Sequence, residues 1–366
     1  EAMAARQITT VQDLRFSAPN VSYAKGNFTG SNFKIRGIGQ DLVAATGDAG
    51  VGIHINAVPL LAPRLYETEY YDIDQLVILR GPQGTLYGRN STGGAVNMIT
   101  SRASVDEVLG NLEGQYGNYD TMRVKGMLNV PLGDSLALRL AGISLQRDGY
   151  TGNRATGNDI DDRDQWSLRG SVRWLPGDAT TVDFMGSYMD EDSSRTRSPK
   201  QLCHNDPSGL LGCLPDKLAF DAVNPLAQLT GIIPSRLGPL GPQPGLGNDT
   251  SGVPRSMRTV AADTDPQYES DETLAILRLG HRFRRHELTI NTSYHDTSLR
   301  SQQDYTMNSS DVEFFPSPLL PALAPITDAT YFPDNTLPIS RPTATNTALV
   351  GGNSAGSSGG RSQRRG

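Results

Sequence analysis

Ile73-Asp-Gln-Leu-Val-Ile-Leu-Arg80-Gly81-Pro82-Gln-Gly84-Thr-Leu-Tyr-Gly88-Arg89-Asn-Ser-Thr-Gly93-Gly94-Ala-Val-Asn-Met-Ile-Thr100 is the stretch on which the reading of this chain turns. An apolar run over 73–79 stops at Arg80. Gly81, Gly84 and Gly88 then permit tight backbone turns, and Gly93-Gly94 opens a second apolar run over 95–100. The pattern predicts strand, closed glycine loop, strand. Two upstream segments, Phe33-Lys-Ile-Arg36-Gly37-Ile-Gly39 and Val51-Gly-Ile-His-Ile-Asn-Ala-Val-Pro-Leu60, likewise set short apolar runs against glycines. They predict short strands at 33–36 and 52–55. Ile8, Val11 and Leu14 have helical spacing, which Pro19 ends. Residues 1–108 therefore read as a small α+β unit.

From Leu109 the rhythm changes to an antiparallel all-β meander, with strands predicted at 109–117, 119–130, 136–147, 164–175, 180–190, 272–283 and 286–300. In the fourth, Trp166, Leu168, Gly170, Val172 and Trp174 share one face, and Gln165, Ser167, Arg169, Ser171 and Arg173 share the other. That is period-two alternation with arginines on the polar side. The second and seventh strands alternate in the same way. The connections at 131–135, 176–179 and 284–285 are tight, while 148–163 and 191–271 are long. Short turns at one end and long loops at the other are the pattern of outer-membrane barrels, with the short 117–118 connection breaking it once. Trp166 and Trp174 bracket the apolar stripe of one strand, as aromatics do at the two edges of a bilayer. A soluble sandwich alternates too, and in it these would be two ordinary core tryptophans.

Composition bounds the alternatives. The 366 residues include 39 Gly and 23 Pro, together about a sixth of the chain, which fits many turns and short strands. The net charge of −6 argues against nucleic-acid binding by bulk electrostatics. No apolar run approaches the roughly 20 residues of a membrane helix, a fact that leaves a β-barrel open. No signal peptide opens the sequence, so an earlier segment is expected to have been removed or to lie outside it. Cys203 and Cys213 sit close together in a polar, turn-rich stretch and are expected to form a disulfide in an oxidising compartment. The 191–271 connection that holds them is expected to be an extracellular loop, and the Gly/Ser/Arg-rich 346–366 to be a disordered tail.

No motif for catalysis stands. Gly352-Asn-Ser354-Ala-Gly356 and Gly356-Ser-Ser358-Gly-Gly360 match G-x-S-x-G, but they lack the strand and helix that would strain a nucleophile. Gly81–Gly88 lacks the G-K-[ST] ending of a phosphate loop. Asp159, Asp161, Asp162 and Asp164 lack the Gly and terminal Glu of an EF-hand and read as a solvated acidic loop. No metal, cofactor or enzymatic activity is expected.

The segment over 33–100 resembles the plug domain of TonB-dependent outer-membrane receptors, and the likeness extends less sharply through the alternating strands. The resemblance implies that 1–108 is a plug and 109–345 part of a barrel: the first seven or so strands of a 22-stranded transmembrane β-barrel, since so few strands cannot enclose such a plug. It implies a receptor for active uptake of a scarce solute, most often an iron–siderophore complex, driven by the inner-membrane TonB complex. It places the barrel in outer-membrane lipid and the long loops outside the cell. The contact peptide for TonB is expected to lie outside this sequence. Arg36-Gly37 and Arg80-Gly81-Pro82 correspond to the family's strand-end turns, and with Gly84, Gly88, Arg89, Gly93 and Gly94 they are the expected plug motif and plug–barrel contacts. Arg36 and Arg80 are expected to meet carboxylates on the barrel wall. Gln40, Asp41, Thr46 and Asp48 are candidates for a ligand-facing apex. One departure is local: Asn56-Ala57 stands where the family places Asp-Gly, and a left-handed residue there would strain Ala57. Two other readings stand beside this one: a structural or adhesive β-protein, and an inactive truncated product.

Overall fold

A computed structural model describes residues 8–25, 31–39, 49–60, 68–195, 202–206, 213–221, 254–262 and 264–304, and the backbone of 345–354. The N-terminal unit begins with a 3-10 turn, Val11–Asp13, running into a one-turn helix α1 (Leu14–Ser17). The Asp13 carboxylate closes the entry by accepting from the Thr9 and Thr10 backbone N–H groups at 2.9 and 2.7 Å. A hairpin of β1 (Val21–Lys25) and β2 (Ser31–Ile35) follows. A four-stranded sheet then forms from β3 (Val51–Ile55), β4 (Val58–Pro59), β5 (Ile73–Arg80) and β6 (Gly94–Thr100), in the order β4-β3-β6-β5. The loop between β5 and β6 carries the short helix α2 (Gly84–Tyr87). Val11, Leu14, Phe33, Ile35, Val51, Ile55, Val96 and Met98 are buried in one apolar core.

Ala57 occupies the left-handed region (φ 68°), as does Asn56 (φ 52°). The two-residue turn between β3 and β4 therefore keeps the primed-hairpin geometry of the usual Asp-Gly turn. Neighbouring side chains hold it. The Ala57 N–H donates to Asn97 Oδ1 at 3.0 Å, while Asn56 Nδ2 donates to Thr100 Oγ1 at 2.9 Å and Asn56 Oδ1 accepts from the Thr100 N–H at 3.0 Å.

The second unit is one antiparallel sheet of long strands: β7 (Leu109–Gly117), β8 (Thr121–Pro131), β9 (Leu136–Arg147), β12 (Arg163–Trp174), β13 (Thr180–Ser193), β17 (Gln267–Arg282), β18 (Glu287–Asp304) and β19 (Thr345–Ser354). Neighbours in the sheet follow chain order. The seven predicted strands are all present, within a few residues except that β17 begins five residues early. An eighth, β19, falls inside the segment read as a disordered tail, where it pairs with the open edge of β18 over Thr345–Asp304 to Ser354–His295. An unpaired strand edge offers a full row of backbone partners, and the segment Thr345–Ser354 takes them up.

The long connections are partly built. β10 (Thr151–Asn153), β11 (Asp159–Ile160) and β16 (Thr259–Val260) form a small sheet joining the 148–162 connection to residues before β17. Asp265 ties it together by accepting from Asn153 Nδ2 at 2.8 Å and Thr156 Oγ1 at 2.7 Å. The acidic run is not a solvated loop throughout. Asp161 is buried and accepts from Thr151 Oγ1 at 2.9 Å, and Asp162 accepts from Ser194 Oγ at 2.7 Å. These carboxylates satisfy donors of the neighbouring segments. Cys203 and Cys213 are joined as a disulfide with Cα atoms 5.2 Å apart, beside a two-residue ladder of β14 (His204–Asn205) and β15 (Cys213–Leu214).

Candidate functional site

The long sheet has two chemically opposite faces. Leu128, Leu138, Leu140, Trp166, Leu168, Trp174, Phe184, Leu277, Leu288 and Ile290 are exposed on one. Asn129, Arg139, Gln165, Ser167, Arg169, Ser187 and Glu272 are buried on the other, under the N-terminal unit. In water this would be an inverted protein. A sheet whose apolar side faces outward and whose polar side is covered is what a lipid-facing barrel wall requires. Because side chains alternate strictly along a strand, one register choice sets every residue of a strand on its proper side.

The N-terminal unit is seated on the polar face through residues 68–72. Glu69 accepts from Arg123 at 2.7 Å and lies 3.0 Å from Lys125. Lys125 also donates to the Tyr70 carbonyl at 3.2 Å. Asp72 accepts from Arg139 Nε at 2.9 Å and lies 3.6 Å from Arg169. Arg169 donates to the carbonyls of Tyr71 and Asp72 at 2.9 and 2.7 Å, and its guanidinium stands 4.6 Å over the Tyr71 ring. The Tyr71 hydroxyl meets Ser167 Oγ at 2.7 Å. Side-chain exposure is 5% for Asp72, 8% for Arg139 and 5% for Arg169, so this cluster is dry. Two arginines share one carboxylate there, and the backbone carbonyls supply the remaining acceptors. A few apolar contacts complete the seat: Met185, Met189, Leu274 and Ile276 of the sheet join the core of the N-terminal unit.

At this seat the charge runs the other way from the contacts expected of Arg36 and Arg80. Across the seat the carboxylates Glu69 and Asp72 come from the N-terminal unit, and the cations come from the sheet. Arg36 and Arg80 are exposed and make no ion pair among the described residues; nor does Arg89. Sequence reasoning noted the arginines on the polar faces but missed their partners. The signal was there: Arg123, Lys125, Arg139 and Arg169 all point to one side of adjacent strands, and a cation-rich covered face demands carboxylates from whatever covers it.

The quoted motif folds into a loop closed by its own backbone hydrogen bonds. Arg36 and Gly37 form a left-handed turn (φ 55° and 78°), and the Ile35 and Ile38 N–H groups each donate to the other's carbonyl at 3.0 Å. Gly81 N–H donates to the Gly93 carbonyl at 3.0 Å and Gln83 N–H to the Ser91 carbonyl at 2.9 Å, so the loop is tied at its base. Pro82, Gly84, Gly88 and Arg89 are exposed. Gly94 (φ 147°) is where glycine is required: a Cβ there would lie 2.2 Å from the Leu79 carbonyl oxygen. His54 is buried beneath the loop, its Nε2 3.3 Å from the Tyr87 carbonyl and its ring edge-on to Tyr87. Burial lowers its pKa, against hydrogen bonds to the Tyr87 and Gly52 carbonyls that act to raise it. Gln40, Asp41, Thr46 and Asp48 lie outside the described residues. Among the described residues no three His, Cys, Asp or Glu side chains gather where they could hold a metal.

A compact unit seated by ion pairs on the polar side of an outward-greasy sheet defines a class: a plug lodged against the wall of a transmembrane β-barrel. Comparison with known proteins shows what the chain is similar to. Residues 1–95 match the model of the TonB-dependent Receptor Plug Domain. The pesticin receptor of Yersinia pestis is 32% identical over 139 residues, covering 37% of this chain and 20% of the receptor. The vitamin B12 transporter BtuB of Vibrio vulnificus is 27% identical over 192 residues, 50% of this chain and 30% of the transporter. Among solved structures, the ferric yersiniabactin uptake receptor FyuA from Yersinia pestis aligns with a TM-score of 0.59 at 18% identity, over 82% of this chain and 40% of that one. The ferric-catecholate import receptor Fiu from E. coli aligns at 0.54 and 16% identity, over 82% and 38%. Residues 1–95 thus match a TonB-dependent receptor plug domain, and the sheet joined to it is similar in fold to part of the barrel of such outer-membrane receptors. The chain spans 20–30% of the length of these curated relatives.

Proposed function

We propose that this chain serves, within a complete receptor, the active uptake of a scarce solute, an iron–siderophore complex, with energy delivered by the inner-membrane TonB complex. The plug closes the barrel at rest. Pull on it loosens its seat on the wall and opens a passage between the two. The plug does no chemistry on the cargo, and the protein is a transporter and not an enzyme.

The observation that carries this reading is the nature of the seat. Glu69 and Asp72 hold the plug to Arg123, Lys125, Arg139 and Arg169 by ion pairs and hydrogen bonds. Such contacts fix one register, yet water can replace them once the plug shifts, which a purely apolar seam would resist. The iron–siderophore assignment is supported by the likeness to FyuA, an uptake receptor for ferric yersiniabactin, and to Fiu, an import receptor for ferric catecholates. The TonB requirement is supported by the plug match over residues 1–95.

The test is uptake of a radiolabelled ferric siderophore by cells bearing the receptor, with and without TonB, beside binding at the surface. The reading expects binding in both strains and accumulation only with TonB. Equal accumulation in the two strains contradicts it.

A further inference from the structure

A cavity of about 140 Å³ lies between plug and wall. The plug contributes Asn56, Asn97 and Arg102, and the wall contributes Asp183, Arg278 and Asn291. The wall residues form a row in register: Arg173 faces Asp183, Asp183 faces Arg278, and Arg278 faces Asn291. All four lie on the plug side by strand alternation. The row sits toward the end of the sheet that carries the tight turns, away from the 148–162 connection and the strands that decorate it.

The charges in this row do not balance. Asp183 is engaged by Arg173 through two hydrogen bonds of 2.7 and 3.2 Å and lies 3.8 Å from Arg102. Arg278 makes no ion pair among the described residues, although its strand partner is Asp183. Two guanidinium groups, of Arg173 and Arg102, therefore meet one carboxylate, and a third arginine, Arg278, stands at its register position without an ion pair among the described residues. Burial lowers the pKa of Arg102, and so do Arg278 and then Arg173, while Asp183 and, more weakly, Asp74 act to raise it. The deficit is of negative charge, beside a cavity whose lining is largely apolar, Ile99, Met185 and Ile276 included, with the amides of Asn97 and Asn291 among its polar groups.

We propose that this cavity binds the carboxylate of a small solute, held between Arg102 and Arg278. Planar guanidinium groups match a carboxylate in two-bond geometry, and Arg278 lines the cavity with no ion pair among the described residues. Asn291 and Asn97 supply neutral donors for the remaining oxygens. Asp183 is a tethered competitor: it occupies part of the positive field that the solute must share. Its role as a station on the passage between plug and wall rests on the uptake reading above, but the binding itself does not.

Citrate is a suitable probe, titrated into the full chain in detergent micelles by calorimetry, with far-UV circular dichroism of each variant as a check on the wall. The proposal expects citrate binding that weakens at least tenfold in Arg278→Gln and in Arg102→Gln, with most of it regained in Arg278→Lys. Asp183→Asn should bind more tightly, a change of opposite sign that a merely structural role for these residues does not produce. If Asp183→Asn loses its sheet signal, the Arg102→Gln/Arg278→Gln double variant decides, because two residues clamping one carboxylate give losses that do not add. No citrate binding above a chloride control, or equal binding in wild type and both glutamine variants, overturns the proposal. Because these titrations involve no transport, their failure leaves the TonB-dependent uptake test standing, and a failed uptake test leaves them standing.

Discussion

Two parts of the plug carry its charged and glycine-rich sequence, and they behave in opposite ways. At residues 68–72, two carboxylates, Asp72 buried and Glu69 half-buried, meet four cations of the wall. At 80–93, the motif that stands out most in the sequence is a closed loop with Arg80 and Arg89 exposed. The difference teaches that a prominent motif marks a backbone shape, while the seat is set by whichever charges the opposing face lacks. The glycines of 80–93 serve turns, and the turns form without help from the wall. The seat at 68–72 has no comparable signature, because Glu69 and Asp72 gain meaning only from arginines on strands far along the chain.

The sharpest way to break this comparison is Asp72→Asn. It keeps a residue type that tolerates the left-handed backbone found there (φ 49°), but it leaves Arg139 and Arg169 buried without a counter-charge. Removing one partner of a buried pair costs about 3–5 kcal/mol. Denaturant titration should show a loss of that size, along with faster proteolysis of the plug. The matching change in the exposed region, Arg80→Ala, should move stability by no more than about 0.5 kcal/mol. A loss at Arg80 equal to that at Asp72 would erase the distinction.

Next in size is Gly94→Ala, at the base of the closed loop. The added Cβ would meet the Leu79 carbonyl oxygen at 2.2 Å, so β5 and β6 must part locally. A strained backbone position of this kind costs of order 1–3 kcal/mol. The effect should appear in the plug while the wall keeps its strand content by circular dichroism. A smaller effect comes from His54. Its lowered pKa means that the unfolded chain takes up a proton first as pH falls. Plug stability should therefore decline as pH drops through about 6.5, the ordinary histidine value, and level off only below the depressed folded value. Urea midpoints at neutral and mildly acidic pH check this, and His54→Gln should flatten that part of the profile.

Much of the architecture was legible in the sequence. Alternation at Trp166–Trp174 gave both the strand and its two faces, because a period of two admits no other assignment. The plug strands were legible from apolar runs cut by glycine. What escaped was of two kinds. Strand β1 at Val21–Lys25 alternates buried Val21 and Tyr23 with exposed Ser22 but is too short to stand out from the sequence, and β19 is held by an open edge, where tertiary pairing sets the strand. The polarity of the seat escaped for a different reason. Period-two reading tells which face an arginine is on, but not which distant carboxylate covers it. Ala57 shows a third limit: sequence forecast the strain correctly, and the hydrogen bonds of Asn56 and Asn97 that hold the turn emerge only once β6 lies beside it.

The central claim is that the apolar side of the sheet faces lipid and the polar side faces the plug. Single nitroxide labels placed in turn at positions 166–172 of the receptor in bilayers test it most directly, read by collision with oxygen dissolved in the lipid and with a water-soluble nickel chelate. The account predicts strict alternation, with labels at Trp166, Leu168, Gly170 and Val172 accessible to oxygen and labels at Ser167, Arg169 and Ser171 shielded from both reagents. Accessibility without a period of two, or an alternation in which the Arg169 side reports lipid, would contradict it.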